Sequence, residues 1–150
     1  MYKNILVPTD GSKLSGKAIK EAITFAKACR SKIVILHVMP DAGAYISERY
    51  HVPTDLAAPL KKKFQSEASK RSQEIVDQAC AMGAAAGVTC TGVSTVGDEP
   101  YEAIINQAKK SKCDLILMAS HGRKGLQSLL LGSETAKVLV HSKIPVLVVR

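Results

Sequence analysis

The amino-acid sequence predicts one α/β domain of the doubly wound, Rossmann-like type, in which helices cover both faces of a five-stranded parallel sheet. Two observations support this prediction: short apolar runs rich in β-branched residues, and segments of helical periodicity that separate them. Strict alternation of strand and helix implies right-handed crossovers, which make the strands parallel. A length of 150 residues with 46% hydrophobic content suits a single core.

The predicted elements follow from these patterns. Turn-forming residues bound the predicted strands, which are 4–7, 32–38, 88–95, 114–119 and 145–149. Apolar stripes or helix-entry residues mark the predicted helices, which are 14–29, 59 to 83 or 87, one opening at 98–101, and 133–141. Residues 40–58 contain two prolines and mixed polar residues, and we expect them to form a long loop.

Composition limits the compartment and the partners. No run of eighteen apolar residues is present, and the amino terminus has no signal-peptide layout, so we expect a cytoplasmic protein without membrane contact. The cysteines lie far apart without a metal-ligand spacing, which predicts reduced thiols. The net charge of +8 raises the question of nucleic acid, but aromatic residues make up only 4% and offer no stacking platform. A nucleic-acid role is therefore not favoured.

The segment from Met118 to Thr135 carries the strongest functional signal. It starts where the fourth predicted strand ends, and open parallel sheets bind ligands outside the carboxyl ends of their strands. Gly122 and Gly125 allow a tight turn and a close approach to a ligand. Gly132 and Ser133 open the last predicted helix, where unpaired N–H groups favour a phosphate. Spacing alone also allows an ordinary glycine loop in which Ser133 caps the helix.

This segment, together with residues 5–12 (ILVPTDGS) and 144–149 (IPVLVV), resembles the universal stress protein family over essentially the whole chain. The ATP-binding branch of that family carries Gly-x-x-Gly, nine residues, then Gly followed by Ser or Thr. Gly122, Gly132 and Ser133 match this pattern, whereas Ala119 replaces its first glycine. The alanine methyl would narrow the space beside the ribose or phosphates, or exclude a positive φ, so we expect weakened rather than abolished binding.

The resemblance implies a stress-response or regulatory protein that binds ATP, or alternatively AMP or ADP. Adenine and ribose would lie near Pro8, Thr9, Asp10 and Val38, with the phosphates near Gly122 and the start of the last helix. Asp10 would face the ribose or a phosphate-bound Mg²⁺, although a cap or turn role remains open for it. The predicted binding residues are Pro8, Thr9, Asp10, Val38, Met118, Ala119, His121, Gly122, Gly132, Ser133, Glu134 and Thr135.

Catalysis has no support in the sequence. His121 has no visible carboxylate partner, which favours a binding or loop-ordering role, and His37 is predicted to be a core-edge histidine. Arg123 and Lys124 would either reach phosphates or form a solvated basic loop. No nucleophile, base and acid occur at recognisable spacing, and no metal-binding histidine cluster is present. We therefore expect ATP turnover to be absent or very slow.

Residues 11–17 also match the P-loop pattern Gly-x-x-x-x-Gly-Lys. The next residue is Ala18, which lacks the hydroxyl that a P-loop gives to Mg²⁺, and it belongs to a helical apolar stripe. We interpret the match as chance, so an NTPase that uses Lys17 is the weakest hypothesis. The main alternative is a nucleotide-free dimeric interaction module, because some members of the family lack the glycine pattern and do not bind ATP.

The last predicted strand suggests how the chain assembles. Residues 145–149 are apolar on both faces, and the end of an open sheet leaves backbone groups unpaired. Members of the family pair this strand across a two-fold axis, so the resemblance implies a homodimer. Nothing in the sequence identifies another protein partner.

Overall fold

The computed structural model describes residues 1–43, 46, 49, 51, 54–122 and 131–150, with side chains at all of these except 54–56. Strands and helices alternate along this part of the chain. In chain order they are β1 (Asn4–Pro8), α1 (Lys13–Cys29), β2 (Lys32–Met39), α2 (Thr54–Ala85), β3 (Cys90–Val96), α3 (Pro100–Lys110), β4 (Leu115–Ala119), α4 (Ser133–His141) and β5 (Val146–Val149). The five strands form one parallel sheet in the order β3-β2-β1-β4-β5, which confirms the predicted fold class.

The winding direction of the sheet reverses at β1. This strand pairs with β2 on one side and with β4 on the other, so that the carboxyl ends of β1 and β4 are neighbours. Ligands of doubly wound sheets bind in the crevice at such a reversal. The topology therefore brings the residues after Pro8 to the same edge as those after Ala119.

Apolar side chains fill the space on both faces of the sheet. Alternate residues of each buried strand point to opposite faces, so one strand serves two clusters. Ile5 and Val7 of β1 lie in the cluster that includes α1 and α2 residues, whereas Leu6 lies in the cluster that includes α3 and α4 residues. Because the inner strands are buried on both faces, most of their residues are apolar, and this pattern predicts them from the sequence.

Helix α1 begins with a serine cap. The Ser12 side chain accepts a hydrogen bond from the Ser15 backbone N–H at 3.2 Å, and the apolar stripe predicted from Leu14 onward faces the core. Residues 13–18, which would belong to a P-loop, are regular helix, and Lys17 is exposed. The structure therefore agrees with chance similarity for that motif.

The prediction of a long loop at residues 40–58 is wrong in part. Helix α2 begins at Thr54, so Pro59 lies inside the helix rather than at its start. Ala57 and Ala58 are strong helix formers. Pro59 is the sixth residue of α2, so it removes one intrahelical hydrogen bond, the one that its N–H would donate to the carbonyl of residue 55. Ile46 is also helical and only 2% exposed, so the segment contributes to the core. Among the described helices, none has the length and apolar character that a membrane crossing requires.

Candidate functional site

The turn after β1 is held by its own side chains. Thr9 is buried, its Oγ1 lies 3.0 Å from Ser15 Oγ, and it accepts a hydrogen bond from the Gly11 N–H. Asp10 Oδ1 accepts from the Ser12 N–H at 2.9 Å. Gly11 has φ +75°, a conformation that favours glycine. Asp10 thus performs the turn role that the sequence left open, while Ser12 caps the helix.

The Asp10 carboxylate also reaches the segment after β4. A Cβ placed on Gly122 would lie 2.8 Å from Asp10 Oδ2, so the carboxylate lies directly against the Gly122 backbone. The predicted ribose or metal ligand and the second glycine of the family pattern are therefore neighbours. Any larger residue at position 122 would push the Asp10 carboxylate away.

The end of β4 accommodates alanine without strain. Ala119 is a strand residue without a positive φ, and its side chain belongs to the apolar cluster that includes residues of α1. A positive φ, which alanine would disfavour, does not occur at this position. Ser120 follows, and its N–H donates to the Val149 carbonyl at 2.8 Å. Met118 is buried in the opposite cluster.

Gly132 is the N-cap of helix α4, with φ −69° and no side-chain cap. Ser133 is the first helical residue and is exposed, so the alternative in which Ser133 caps the helix does not hold. The Gly132 N–H donates to the Ser120 carbonyl at 2.7 Å, and the Ala136 N–H makes the first intrahelical bond, to Gly132. The amides of residues 133–135 precede that bond, as at every helix start.

Two side chains of this first turn hold α4 in place. Thr135 is 3% exposed, and its hydroxyl donates to the Ala119 carbonyl at 3.0 Å. Glu134 Oε2 accepts from the Tyr101 N–H at 2.9 Å, while Oε1 lies 3.3 Å from Lys137 Nζ. Glu134 therefore caps α3. Thr135 and Glu134 make these contacts with their side chains. Their backbone N–H groups belong to the leading amides of α4.

Val38 and Pro8 complete the edge on the β2 side. Pro8 of β1 pairs with Leu36 of β2. Val38, two residues further along β2, is half-buried against the cluster that contains Met118. His37 points elsewhere: its Nδ1 lies 2.7 Å from Ser72 Oγ, which in turn donates to Ser94 Oγ at 2.7 Å. His37 is thus the core-edge histidine that the sequence predicted.

His121 offers an incompletely satisfied ring. Its Nδ1 lies 3.0 Å from Ser120 Oγ, while Nε2 is buried and has no hydrogen-bond partner within the part of the chain that the structure describes. A buried polar atom normally has a partner, so a polar ligand at this edge would satisfy it. Gly125, Arg123 and Lys124 lie outside the described residues.

Sequence reasoning missed two contributors to this edge. Ser120 is 2% exposed, and its carbonyl holds the Gly132 N–H, but an isolated serine after a strand gives no signal of that role. Ser15 supports Thr9 from the first turn of α1, and its polar position within an apolar stripe is a signal that could have identified it. Among the described residues, no three metal-ligating side chains converge, so Mg²⁺ would need phosphate oxygens beside Asp10.

Comparison with known proteins gives one family. The universal stress protein family model matches residues 1–150. Universal stress protein YxiE of Bacillus subtilis is 33% identical over 153 residues, which cover 100% of each chain. The structure of hypothetical protein MJ0577 of Methanocaldococcus jannaschii is similar at TM-score 0.83 and 28% identity, covering 99% of this chain and 96% of that one. A universal stress protein in complex with cAMP has TM-score 0.68 and 27% identity, covering 99% and 97%. The chain therefore belongs to the universal stress protein family.

Proposed function

We propose that this chain binds an adenine nucleotide, ATP with Mg²⁺, at the carboxyl edge of β1 and β4 and serves as a nucleotide-binding stress or regulatory protein. The observation that carries the proposal is the start of α4. There, Gly132 brings a helix N-terminus with three leading amides against the backbone of Ser120 and His121. A helix dipole and its leading N–H groups favour a phosphate at this position.

The opposite wall of the crevice supports the base and the sugar. Val38 offers a half-buried apolar surface, and Pro8 and Thr9 form a rigid turn beside it. In this proposal adenine packs against Val38, and Asp10 contacts the ribose or a Mg²⁺ held by phosphate oxygens. The buried Nε2 of His121 gives the ligand a further polar partner. The similar protein solved with cAMP supports an adenine nucleotide as the class of ligand.

A titration calorimetry experiment with nucleotide-free protein tests this function. We expect saturable ATP binding in the presence of Mg²⁺ in the micromolar range, about 8 kcal/mol of binding free energy. Because the Ala119 methyl lies in the core, Ala119→Gly should change the affinity by less than about threefold, roughly 0.6 kcal/mol. ADP and AMP, titrated in parallel, identify the preferred nucleotide. A flat ATP titration would instead favour the nucleotide-free interaction module.

The proposal includes little or no turnover of the bound nucleotide. Lys17 lies exposed on regular helix, where it cannot act as a P-loop lysine. Phosphate release measured with saturating ATP and Mg²⁺ should therefore be very slow, and Lys17→Ala should leave it unchanged. Loss of a fast phosphate release in that variant would contradict this part of the proposal.

We further propose a homodimer through β5. This strand pairs with β4 alone among the described strands, and Leu147 on it is 41% exposed. Val140 of the adjoining α4 is 77% exposed, which extends the apolar surface. Leu147→Lys should yield a monomer by light scattering because an edge lysine opposes strand pairing. Met82→Lys, at a 38% exposed methionine on α2, is the matched control and should leave a dimer. A wild-type monomer at micromolar concentration would overturn this assembly.

A further inference from the structure

The amino ends of the parallel strands meet at the edge opposite the candidate nucleotide site, and basic residues gather there. We define the basic edge as a set of exposed basic residues near the amino ends of the strands: the residue before β1, the last two residues of α3, and the basic residues in the connections into β2, β4 and β5 together with the one that opens β2. They are Lys3, Arg30, Lys32, Lys109, Lys110, Lys112 and Lys143. In the sequence these residues are scattered over the whole chain, so only the topology brings them together.

The order of strands makes this edge a row of cations. Lys32, Lys3, Lys112 and Lys143 precede or open β2, β1, β4 and β5, which is also the spatial order of these strands. The Lys32 N–H donates to the Lys3 carbonyl at 2.9 Å, which fixes these two residues side by side. Neighbouring strands lie about 4.8 Å apart, so the amino ends of these four strands span roughly 15 Å. A row of this length faces several consecutive phosphates of a nucleic-acid backbone.

The basic edge keeps a net positive charge although it contains the carboxylate of Asp114. Both oxygens of Asp114 accept backbone N–H groups, from Lys3 at 2.8 Å and Asn4 at 2.9 Å. Burial acts to raise the pKa of Asp114, yet these hydrogen bonds outweigh it and hold the pKa below its usual value, so the carboxylate stays ionised and offsets one of the seven cations. Ion pairs in the described parts of the chain involve Lys137, which lies at the other end of the sheet. None of the basic-edge side chains is neutralised by one of these pairs.

Two of these cations occupy backbone positions that favour glycine. Helices α1, α2 and α3 end alike, with a residue of positive φ followed by an N–H that bonds five residues back. Gly87 fills that position after α2, with φ +77°. Arg30 at φ +56° and Lys112 at φ +52° fill it after α1 and α3. The chain therefore places side chains with positive charge where the uncharged glycine would be less strained.

Compensation of helix dipoles accounts for part of this pattern. Cations in or just after the last turn of a helix, such as Lys109 and Lys110, interact favourably with its carboxyl end. Lys143, two residues after the end of α4, belongs to the same group. Lys3 precedes β1 and Lys32 opens β2, and dipole compensation does not require them. We propose that the basic edge binds the phosphate backbone of duplex nucleic acid without regard to sequence.

The aromatic side chains near the basic edge indicate which kind of nucleic acid it binds. Binding of single strands relies on aromatic stacking, and Tyr2, next to Lys3, instead packs on Phe25 with ring centroids 6.2 Å apart. A duplex needs no stacking, because its backbone is held by phosphate contacts alone. The low aromatic content, which disfavoured nucleic acid on composition alone, therefore argues only against the single-stranded form.

Fluorescence anisotropy of a labelled DNA duplex of about 20 base pairs, titrated with the protein at several salt concentrations, tests the proposal. With about four phosphates neutralised, the logarithm of the binding constant should fall with the logarithm of salt concentration with a slope of roughly −4. Arg30→Gly combined with Lys112→Gly should weaken binding at least about tenfold and reduce the slope by roughly 2. This variant should melt no lower than wild type, because glycine suits both backbone positions.

The matched control removes equal charge elsewhere. Lys61→Gln with Lys62→Gln neutralises two exposed lysines of α2 and should change the affinity by less than about threefold. Equal losses in the two double variants would overturn the proposal, since general charge would then account for binding. So would a wild-type protein that binds a polyglutamate peptide as tightly as the duplex. ATP binding should be unchanged in the Arg30 and Lys112 variant, so this proposal and the nucleotide site fail independently.

Discussion

Gly132→Val is expected to abolish nucleotide binding, with an affinity for ATP at least about 100-fold below that of wild type, or about 2.7 kcal/mol. A Cβ on Gly132 would lie 3.0 Å from the Ser120 carbonyl and 3.2 Å from His121 Cα. Both neighbours are backbone atoms and cannot rotate away. The side chain would therefore move the start of α4 away from β4 and occupy the approach to its leading amides.

Titration calorimetry and thermal unfolding together separate lost binding from lost structure. Gly132→Ala introduces the same contact with fewer atoms and should give an intermediate loss of affinity in a folded protein. Gly16→Ala is the matched control, because a Cβ there has no atom within 4 Å. It should bind ATP normally and gain up to about 1 kcal/mol of stability from helix propensity. Wild-type affinity in folded Gly132→Val would refute the assignment of the phosphate position.

The sheet could be predicted from the sequence because its inner strands are buried on both faces. Short apolar runs rich in β-branched residues, such as 33–36 (IVIL), favour buried strands, and the glycine spacing after β4 pointed to the carboxyl edge. Strand ends moved by one or two residues, as at Cys90 and Val96 of β3. Local patterns identified the element types, and hydrogen bonding with neighbours fixed their ends.

The details that the sequence does not reveal depend on contacts between distant residues. Ser133 resembles a helix cap, but the bond from the Gly132 N–H to the Ser120 carbonyl makes the glycine the cap. Glu134 resembles an ordinary first-turn acid, yet it caps α3 through Tyr101, 33 positions away. Likewise, the basic edge cannot be read from the scattered lysines before the strand order is known. Long-range geometry, rather than residue type, decides each of these cases.

Gly83→Ala tests how closely α2 packs on β3, and it should destabilise the fold by about 2 kcal/mol because overpacking is costly. A Cβ on Gly83 would overlap Cys90 Sγ and lie 3.3 Å from Cys90 Cβ. Burial, and to a lesser extent the nearby Cys80, raise the pKa of the Cys90 thiol to about 11. The sulfur thus stays uncharged at neutral pH and acts here as an apolar packing atom.

A double-mutant cycle with Cys90→Ala locates this effect, because removing the sulfur leaves room for the new methyl. Cys90→Ala alone should cost about 1 kcal/mol through the cavity it creates. The double variant should be no less stable than Cys90→Ala, since the methyl fills that cavity and alanine suits a helix better by about 1 kcal/mol. Urea unfolding of the wild type and the three variants measures the coupling. If the two losses simply add, the strain lies elsewhere; if they cancel, the contact between Gly83 and Cys90 sets the distance between helix and sheet.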